Sequence, residues 1–336
     1  MVSDVYKRPL RDLRISVTDR CNFRCTYCMP LDEYEWIDKR EILSFEEIAR
    51  IARLFVRAGV EKLRLTGGEP LVRQNIEKLV ADLAAIEGSQ ELCLTTNGSL
   101  LAEKAAALKA AGLKRINVSI DTLDADKFRR MTKRGDLDKV LHGLFAAQRE
   151  GLKPIKINAV VERGVNDGDI LDLVGFAREH GFTMRFIEYM DVGNANEWTS
   201  KKLVPKKEIV EKIHARFPLK EIGRGHGTAP AVDYEFADGG GQVGVVASVT
   251  EPFCSTCNRA RLTADGKLVT CLFSSVGHDL KARLRGGATD EQLFEFIAGI
   301  WRRRDDRYSS ERLEAMKSSA YDPKTHKKIE MITLGG

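Results

Sequence analysis

Histidine is scarce, with six in 336 residues, and none precedes His142. Any metal chemistry ahead of that point must rest on other ligands. Aromatic residues make up only 7% of the chain, and no dense basic block offsets a modest formal charge of +5. That combination argues against a nucleic-acid surface, although it favours the approach of an anionic substrate. No uninterrupted apolar span reaches membrane-crossing length, and the opening MVSDVYKRPLRDLR has no secretory h-region, so the expected compartment is the cytosol. Low-complexity tracts and repeats beyond a strand-helix alternation are also missing.

What is present reads as a soluble globular protein, 43% apolar and 31% charged, long enough for one large core with a smaller attached unit. Its seven cysteines fall into two groups of three, Cys21, Cys25, Cys28 and Cys254, Cys257, Cys271, with Cys93 alone in ELCLTTNG. The spacing does not suit a small secreted disulfide scaffold, and two triads suggest two metal sites. Cys93 reads as a buried strand residue. In RCNFRCTYCMP the C-x3-C-x2-C thiols suit zinc, redox chemistry, or three corners of an iron-sulfur cluster. A structural zinc site wants four protein ligands, and no fourth is evident nearby.

Strongly apolar or β-branched runs at 13–17, 62–67, 92–96, 115–120, 155–160 and 184–189 predict parallel strands. Helices are expected between them: one opened by the Ser44/Glu47 capping box and stopped by Gly59, others over 71–86, 101–111, 137–149 and 169–179. Six βα units fit either an incomplete barrel or a doubly wound sheet. After Met190 the rhythm changes to a polar connector, a helix opened by Pro205, antiparallel strands and helices near 277–285 and 289–303. The expected division is therefore 1–190 and 191–336.

Polar residues concentrate where the strands end: the first triad, then Gly67, Gly68, Glu69 and Pro70, then Thr96 and Asn97, then Ser119 and Asp121, with Asn158, Glu188 and Met190 further on. Parallel sheets and barrels carry their sites at strand carboxyl ends, so these groups should converge. GGEP alone could be an ordinary strand-to-helix turn. Beside three thiols it becomes a candidate cofactor clamp, with Glu69 able to receive an amine.

LRISVTDRCNFRCTYCMP, with Tyr27 before the last cysteine, resembles the signature of the radical S-adenosylmethionine enzymes. LRLTGGEP, the second triad at C-x2-C-x13-C, and the Gly335-Gly336 tail make the whole chain similar to the GTP 3',8-cyclase family within them. The resemblance implies an α/β fold: an incomplete (β/α)6 TIM-type barrel of the radical enzyme type, with a C-terminal α+β auxiliary-cluster domain closing its mouth. It assigns Cys21, Cys25 and Cys28 to a 4Fe-4S cluster whose open iron is chelated by S-adenosyl-L-methionine. Tyr27, Gly67, Gly68, Glu69, Pro70, Thr96, Asn97, Ser119 and Met190 become contacts to that cofactor. Cys254, Cys257 and Cys271 become ligands of a second 4Fe-4S cluster, facing the first across the mouth and contacting guanine.

The implied reaction is the first step of molybdenum cofactor biosynthesis, a lyase reaction in which a 5'-deoxyadenosyl radical takes the ribose C3' hydrogen of GTP. The carbon radical then closes on C8, giving 3',8-cyclo-7,8-dihydroguanosine 5'-triphosphate. Arg14, Lys62, Arg64, Lys156, Arg185, Arg259 and Arg261 match the family's basic substrate pocket, where guanidinium forks suit phosphate oxygens. Gly335 and Gly336 resemble a tail that enters the active site. A flavodoxin-type or other low-potential electron donor, product transfer to cyclic pyranopterin monophosphate synthase, and a homodimer are the partners the resemblance allows. It implies neither a membrane nor a nucleic acid.

Overall fold

The computed structural model describes residues 1–318 and 321–335. Among them are twelve strands: β1 (Asp12–Ser16), β2 (Lys62–Thr66), β3 (Glu91–Thr96), β4 (Arg115–Ser119), β5 (Ile155–Val161), β6 (Thr183–Glu188), β7 (Leu219–Gly223), β8 (Val232–Phe236), β9 (Gln242–Val246), β10 (Arg259–Leu262), β11 (Lys267–Val269) and β12 (His278–Asp279). They form one sheet in the order β12-β11-β10-β1-β2-β3-β4-β5-β6-β9-β8-β7. The first six are parallel and lie in chain order, each within a residue or two of its expected bounds.

The segment beyond residue 190 extends both edges of this sheet. β10 lies parallel beside β1, and β9 lies parallel beside β6. β8 and β7, like β11 and β12, continue outward antiparallel. Both edges of the parallel block are thereby paired, which satisfies backbone groups that would otherwise face solvent. The antiparallel expectation for this region holds for β7 to β9. The two parallel joins were not expected, because periodicity within a strand carries no information about its neighbour.

Helices α1 (Phe45–Ala58), α2 (Ile76–Ala84), α3 (Leu101–Ala110), α4 (Ala125–Thr132), α5 (Leu137–Arg149) and α6 (Ile170–Glu179) follow the first strands. The others are α7 (Lys206–Arg216), α8 (Leu280–Arg285), α9 (Asp290–Arg302), α10 (Tyr308–Lys317) and α11 (Met331–Leu334). The Ser44/Glu47 box caps α1, and left-handed Gly59 ends it. The expected helix at 71–86 instead begins as a short 3-10 turn, Pro70–Val72, and becomes α-helical only at Ile76. Glu69 accepts the Leu71 N–H and so caps that turn, while Asn75 adopts φ 57° before α2. Sequence patterning did not anticipate α4, α10 or α11: α4 buries only Phe128 and Met131 of its apolar side chains, α10 buries none, and α11 is a single turn.

Strand alternation divides the sheet into two chemical faces. Leu13, Ile15, Leu63, Leu65, Ile116, Val118, Ile155, Ile157, Met184 and Phe186 are buried in the main core with α1 to α6. The intervening positions carry Arg14, Arg64, Cys93, Thr95, Asn117, Ser119, Lys156, Asn158 and Arg185, brought into neighbouring rows by the register. A period of two places every second side chain on the opposite face. Cys93 is fully buried, as expected.

Replacing Ser44 with Ala removes an N-terminal partner of α1 and should cost about 1 kcal/mol. Urea unfolding of the metal-free protein measures this, with no change in m-value expected.

Candidate functional site

At the carboxyl ends of β1 to β5, the loops are joined by backbone contacts. Gly68 N donates to Thr18 O at 2.7 Å, and Glu69 N donates to Arg20 O at 2.8 Å. A Cβ on Gly68 would stand 2.3 Å from the Arg20 carbonyl oxygen, so this approach requires glycine. The GGEP turn is thus fastened to the segment that delivers Cys21. Pro70 opens the short turn that carries the chain away.

Glu69 is buried and accepts from the Thr96 hydroxyl at 2.6 Å, Asn97 N at 2.7 Å and Leu71 N at 3.0 Å. Burial pushes its carboxyl up to about 7, against the lowering effect of those three donors. A carboxylate offers roughly four acceptor positions, leaving one for a cation that would restore its charge. The Asn97 side-chain amide donates to Asn22 at 2.8 Å and lies 3.9 Å from Cys21 Sγ.

Cys21, Cys25 and Cys28 are free thiols, each partly buried. Burial pushes all three up, Cys21 to about 11 and Cys28 to about 12, with Glu69, Asp121 and Cys21 respectively the next causes for Cys21, Cys25 and Cys28. A bound cationic centre would reverse this and hold them as thiolates. Tyr27 donates to Asp121 at 2.8 Å, and Asp121 also accepts Val160 N at 2.8 Å. Burial raises the Asp121 carboxyl to about 6.

The second triad lies elsewhere. Arg11 N and Asp12 N both donate to Asn258 O at 3.1 Å, which sets Cys257 beside the amino end of β1. Because β10 joins β1 in parallel, its amino end must lie there. Cys271 returns to the same level two residues past Val269, the partner of Arg261. The five residues of β1 thus separate the two triads by about 17 Å along the strand. This corrects the expectation of two sites facing each other across one mouth. Cys28 and Cys271 nonetheless both pack on the small apolar cluster of Val192, Phe273 and Met331, as does Met190.

The second triad also differs electrostatically. Burial pushes the Cys257 thiol up, but Arg259 and Arg304 overcome it and bring it down to about 6. Arg259 Nη2 donates directly to Cys257 Sγ at 3.0 Å. Cys271 is pushed up to about 11 by burial and then by Asp306. One zinc ion would draw its thiolates to within about 4 Å of one another. Among the described residues no three His, Cys, Asp or Glu side chains are grouped to hold one ion. Thiolates on separate corners of a cluster stand further apart than ligands of a single ion, and each triad supplies three such corners.

Between the triads lies a layer of buried cations. Arg14, Arg64, Arg185, Arg259 and Arg261 each have an Nε with no hydrogen-bond partner, and the side-chain oxygens of Asn117 and Asn158 are likewise unpartnered. Burial lowers Arg185 and Arg261 to about 10. It lowers Lys156 to about 7, with Arg185 the next cause. Unpaired buried charge is costly, so the layer is complementary to a multivalent anion. Lys62 differs from the rest: it pairs with Glu91 at 2.9 Å, and Arg115 pairs with the same carboxylate.

Ser119, half-buried, ends β4 opposite Asn158. Gly335 has φ 68°, and a Cβ there would lie 2.7 Å from Thr66 Cγ2 and 2.9 Å from Gly67 N, so the tail abuts the GGEP turn. Gly336 lies outside the described residues. Asp121, placed by the sequence at a strand end, gains a role only here as the partner of Tyr27, and Arg115 and Asn117 lie outside the residues expected from the sequence. Arg115 in RINVSI carried the signal already used for Arg14, a lone charge within an apolar strand.

Gly68→Ala must displace one of two interlocked backbones, since the obstructing Arg20 and Asp19 atoms are all main chain. A loss of about 1–3 kcal/mol is expected in thermal or urea unfolding of the metal-free protein.

Residues 15–177 match the model of the Radical SAM superfamily, and residues 182–310 match that of Molybdenum Cofactor Synthesis C. Over its whole length the chain is 47% identical to the GTP 3',8-cyclase of Acidothermus cellulolyticus, covering 99% of that protein. It is 48% identical to the GTP 3',8-cyclase of Xanthomonas axonopodis pv. citri and 43% identical to that of Staphylococcus haemolyticus, again over all of this chain and 99% of each relative. In fold it is similar to Streptococcus suis SuiB bound to S-adenosylmethionine, with a TM-score of 0.59 at 17% identity, covering 95% of this chain and 72% of that one. Full-length identity to several such enzymes, with both domain models matched, means that the chain belongs to the GTP 3',8-cyclase family of the radical S-adenosylmethionine superfamily.

Proposed function

We propose that the protein is a radical S-adenosylmethionine lyase that converts GTP to 3',8-cyclo-7,8-dihydroguanosine 5'-triphosphate, the first step of molybdenum cofactor biosynthesis. The observation that carries this reading is the buried layer of arginines, each with an unpartnered Nε and none in an ion pair among the described residues, lying between two incomplete cysteine triads. Such a layer asks for a polyanion, and the spacing leaves room for a nucleoside between the ends.

Cys21, Cys25 and Cys28 hold one 4Fe-4S cluster, and Cys254, Cys257 and Cys271 hold the other. When bound, the first supplies one-electron cleavage of S-adenosylmethionine for hydrogen abstraction, and the second supplies an open iron for the guanine end of GTP. Glu69, itself held by Thr96, Asn97 and Leu71, receives the amine of S-adenosylmethionine through its remaining acceptor position. Gly67, Gly68 and Pro70 shape that turn, while Tyr27, Ser119 and Met190 line the same cofactor site. Arg14, Arg64, Lys156, Arg185, Arg259 and Arg261 bind the triphosphate. Glu91 competes for Lys62, leaving it the weakest contact. The Gly335-Gly336 tail borders the reacting end beside Gly67.

We also infer that the sheet curls into an incomplete barrel over residues 1–190, which the remainder closes. Arg64 lowers the pKa of Arg185, although four strand intervals would part β2 from β6 by about 19 Å in a flat sheet. The polar inner face also disfavours a doubly wound sheet, whose parallel strands would be apolar on both sides. The reaction needs a low-potential electron donor, of flavodoxin type in our reading, and cyclic pyranopterin monophosphate synthase receives the product. Cytoplasmic residence and a homodimer complete the proposal; among the described residues no helix is long and apolar enough to cross a membrane.

Anaerobic reconstitution should give about eight irons per chain. With GTP, S-adenosylmethionine and dithionite, the cyclised nucleotide and 5'-deoxyadenosine should both form; stoichiometric zinc with little acid-labile sulfide would sink the reading. Cys25→Ala should abolish 5'-deoxyadenosine formation, whereas Cys257→Ala should chiefly lose productive use of GTP.

Lys156 gives a pH test. Its pKa near 7 in the free protein means that a bound polyanion favours the protonated form, so binding takes up a proton. Affinity for inorganic tripolyphosphate should therefore fall as pH rises from 7 to 9, by up to about tenfold per unit. Calorimetry should show a shallower fall for Lys156→Arg, whose guanidinium stays charged throughout.

A further inference from the structure

We infer that Asp4, Arg8 and Arg304 form a clamp that positions the Cys254–Cys257 loop as a ligand platform, so that retention of the C-terminal cluster depends on the first residues of the chain. This rests on the proposed role of the second triad. The three side chains come from opposite ends of the sequence and are almost wholly buried, with side-chain exposures of 0% for Asp4 and 2% for each arginine.

The bonds fall on the cysteine residues themselves. Arg8 Nη1 donates to the Cys254 carbonyl at 2.7 Å and to the Asp306 carbonyl at 2.9 Å. Arg304 Nη1 donates to the Cys257 carbonyl at 2.7 Å, while its Nε donates to the Asp306 carboxylate at 2.9 Å. Both carbonyls flanking the C-x2-C turn are thus held by guanidinium groups. Asp4 orders the pair: Oδ2 accepts from Arg8 Nε at 2.5 Å and from Arg304 Nη1 at 3.3 Å. Its Oδ1 accepts Tyr6 N and Arg8 N, each at 2.9 Å.

A four-acceptor carboxylate is thereby saturated, and each planar fork serves the carboxylate and a cysteine carbonyl together. Lysine cannot reproduce this, because one ammonium has no fork to span both. Trp301 Nε1 donates to Arg8 O at 3.0 Å, linking the segment to the helix that precedes Arg304. Cys21, Cys25 and Cys28 have no part in these bonds. Their loop is held instead by backbone bonds such as Arg24 N to Thr132 O and Thr26 N to Met131 O, each 2.9 Å. The clamp should therefore act on one cluster and not on the other. Groups that orient metal ligands from behind typically contribute 10–100-fold in metal affinity.

The test uses two backgrounds of the full chain, each holding one cluster: C21A/C25A/C28A and C254A/C257A/C271A. Arg8→Lys is introduced into each, with Arg304→Lys as a second variant should the first fail to fold. The readouts are iron and sulfide after anaerobic reconstitution, the rate of iron release to a ferrous chelator, and circular dichroism of the metal-free protein. Release should speed up about tenfold or more in the first background and stay unchanged in the second, with secondary structure retained. Equal release rates in the two backgrounds, whether native or accelerated, would overturn the clamp. If the first background takes up no iron at all, the cluster assignment of the second triad fails as well; if it takes up iron that is indifferent to both lysine variants, only the clamp fails.

Discussion

Taking a guanidinium out of water is expensive, and this protein does so repeatedly on one face of a β-sheet without supplying carboxylates to match. Arg14, Arg64, Arg185, Arg259 and Arg261 all have an unpartnered Nε on or beside that face. The carboxylates nearby do not close ion pairs with these five: Glu91 takes both Lys62 and Arg115, while Asp12 and Asp233 act on Arg14 and Arg185 only through space, each with one oxygen unpartnered. A fold that buries charge this way is stable only because the opposite face of the same strands packs an extensive apolar core. The strain is concentrated where an anion would relieve it.

The rest of the site follows from that placement. Parallel pairing fixes which ends of the strands meet, so the first triad stands past the carboxyl end of β1 and the second beside its amino end. Their surroundings differ most at Cys257. Burial and neighbouring acids push the first thiols up, whereas Arg259 and Arg304 bring Cys257 down. Loading the first triad must therefore displace protons from reluctant thiols, while the second already favours thiolate at Cys257. The GGEP turn and the Gly335 tail meet at the first end, and the buried Asp4 network braces the second.

Much of this was legible before any coordinates. The six strands, the Ser44 capping box and the GGEP turn depend on local periodicity, side-chain chemistry and glycine freedom, all of which act over a few residues. Lone arginines in apolar strands marked the cationic face, and the same rule would have found Arg115. Helices α4, α10 and α11 escaped for separate reasons: α4 spans only eight residues with Phe128 and Met131 as its buried apolar pair, α10 has no apolar stripe, and α11 is a single turn whose stability depends on what it packs against.

Sequence by itself determined the donor set, namely two triads of thiols, a glutamate behind two glycines and a strand-borne set of cations, because chemical identity and short spacing need no knowledge of distant partners. Only the tertiary structure decided that β9 and β10 join opposite edges of the parallel block, that the triads occupy opposite ends of β1, and that Glu91 claims Lys62. Those outcomes are set by which strands pair and in which direction. Pairing couples residues up to about 250 positions apart, such as Asp12 and Arg259, through backbone hydrogen bonds that every residue type can make.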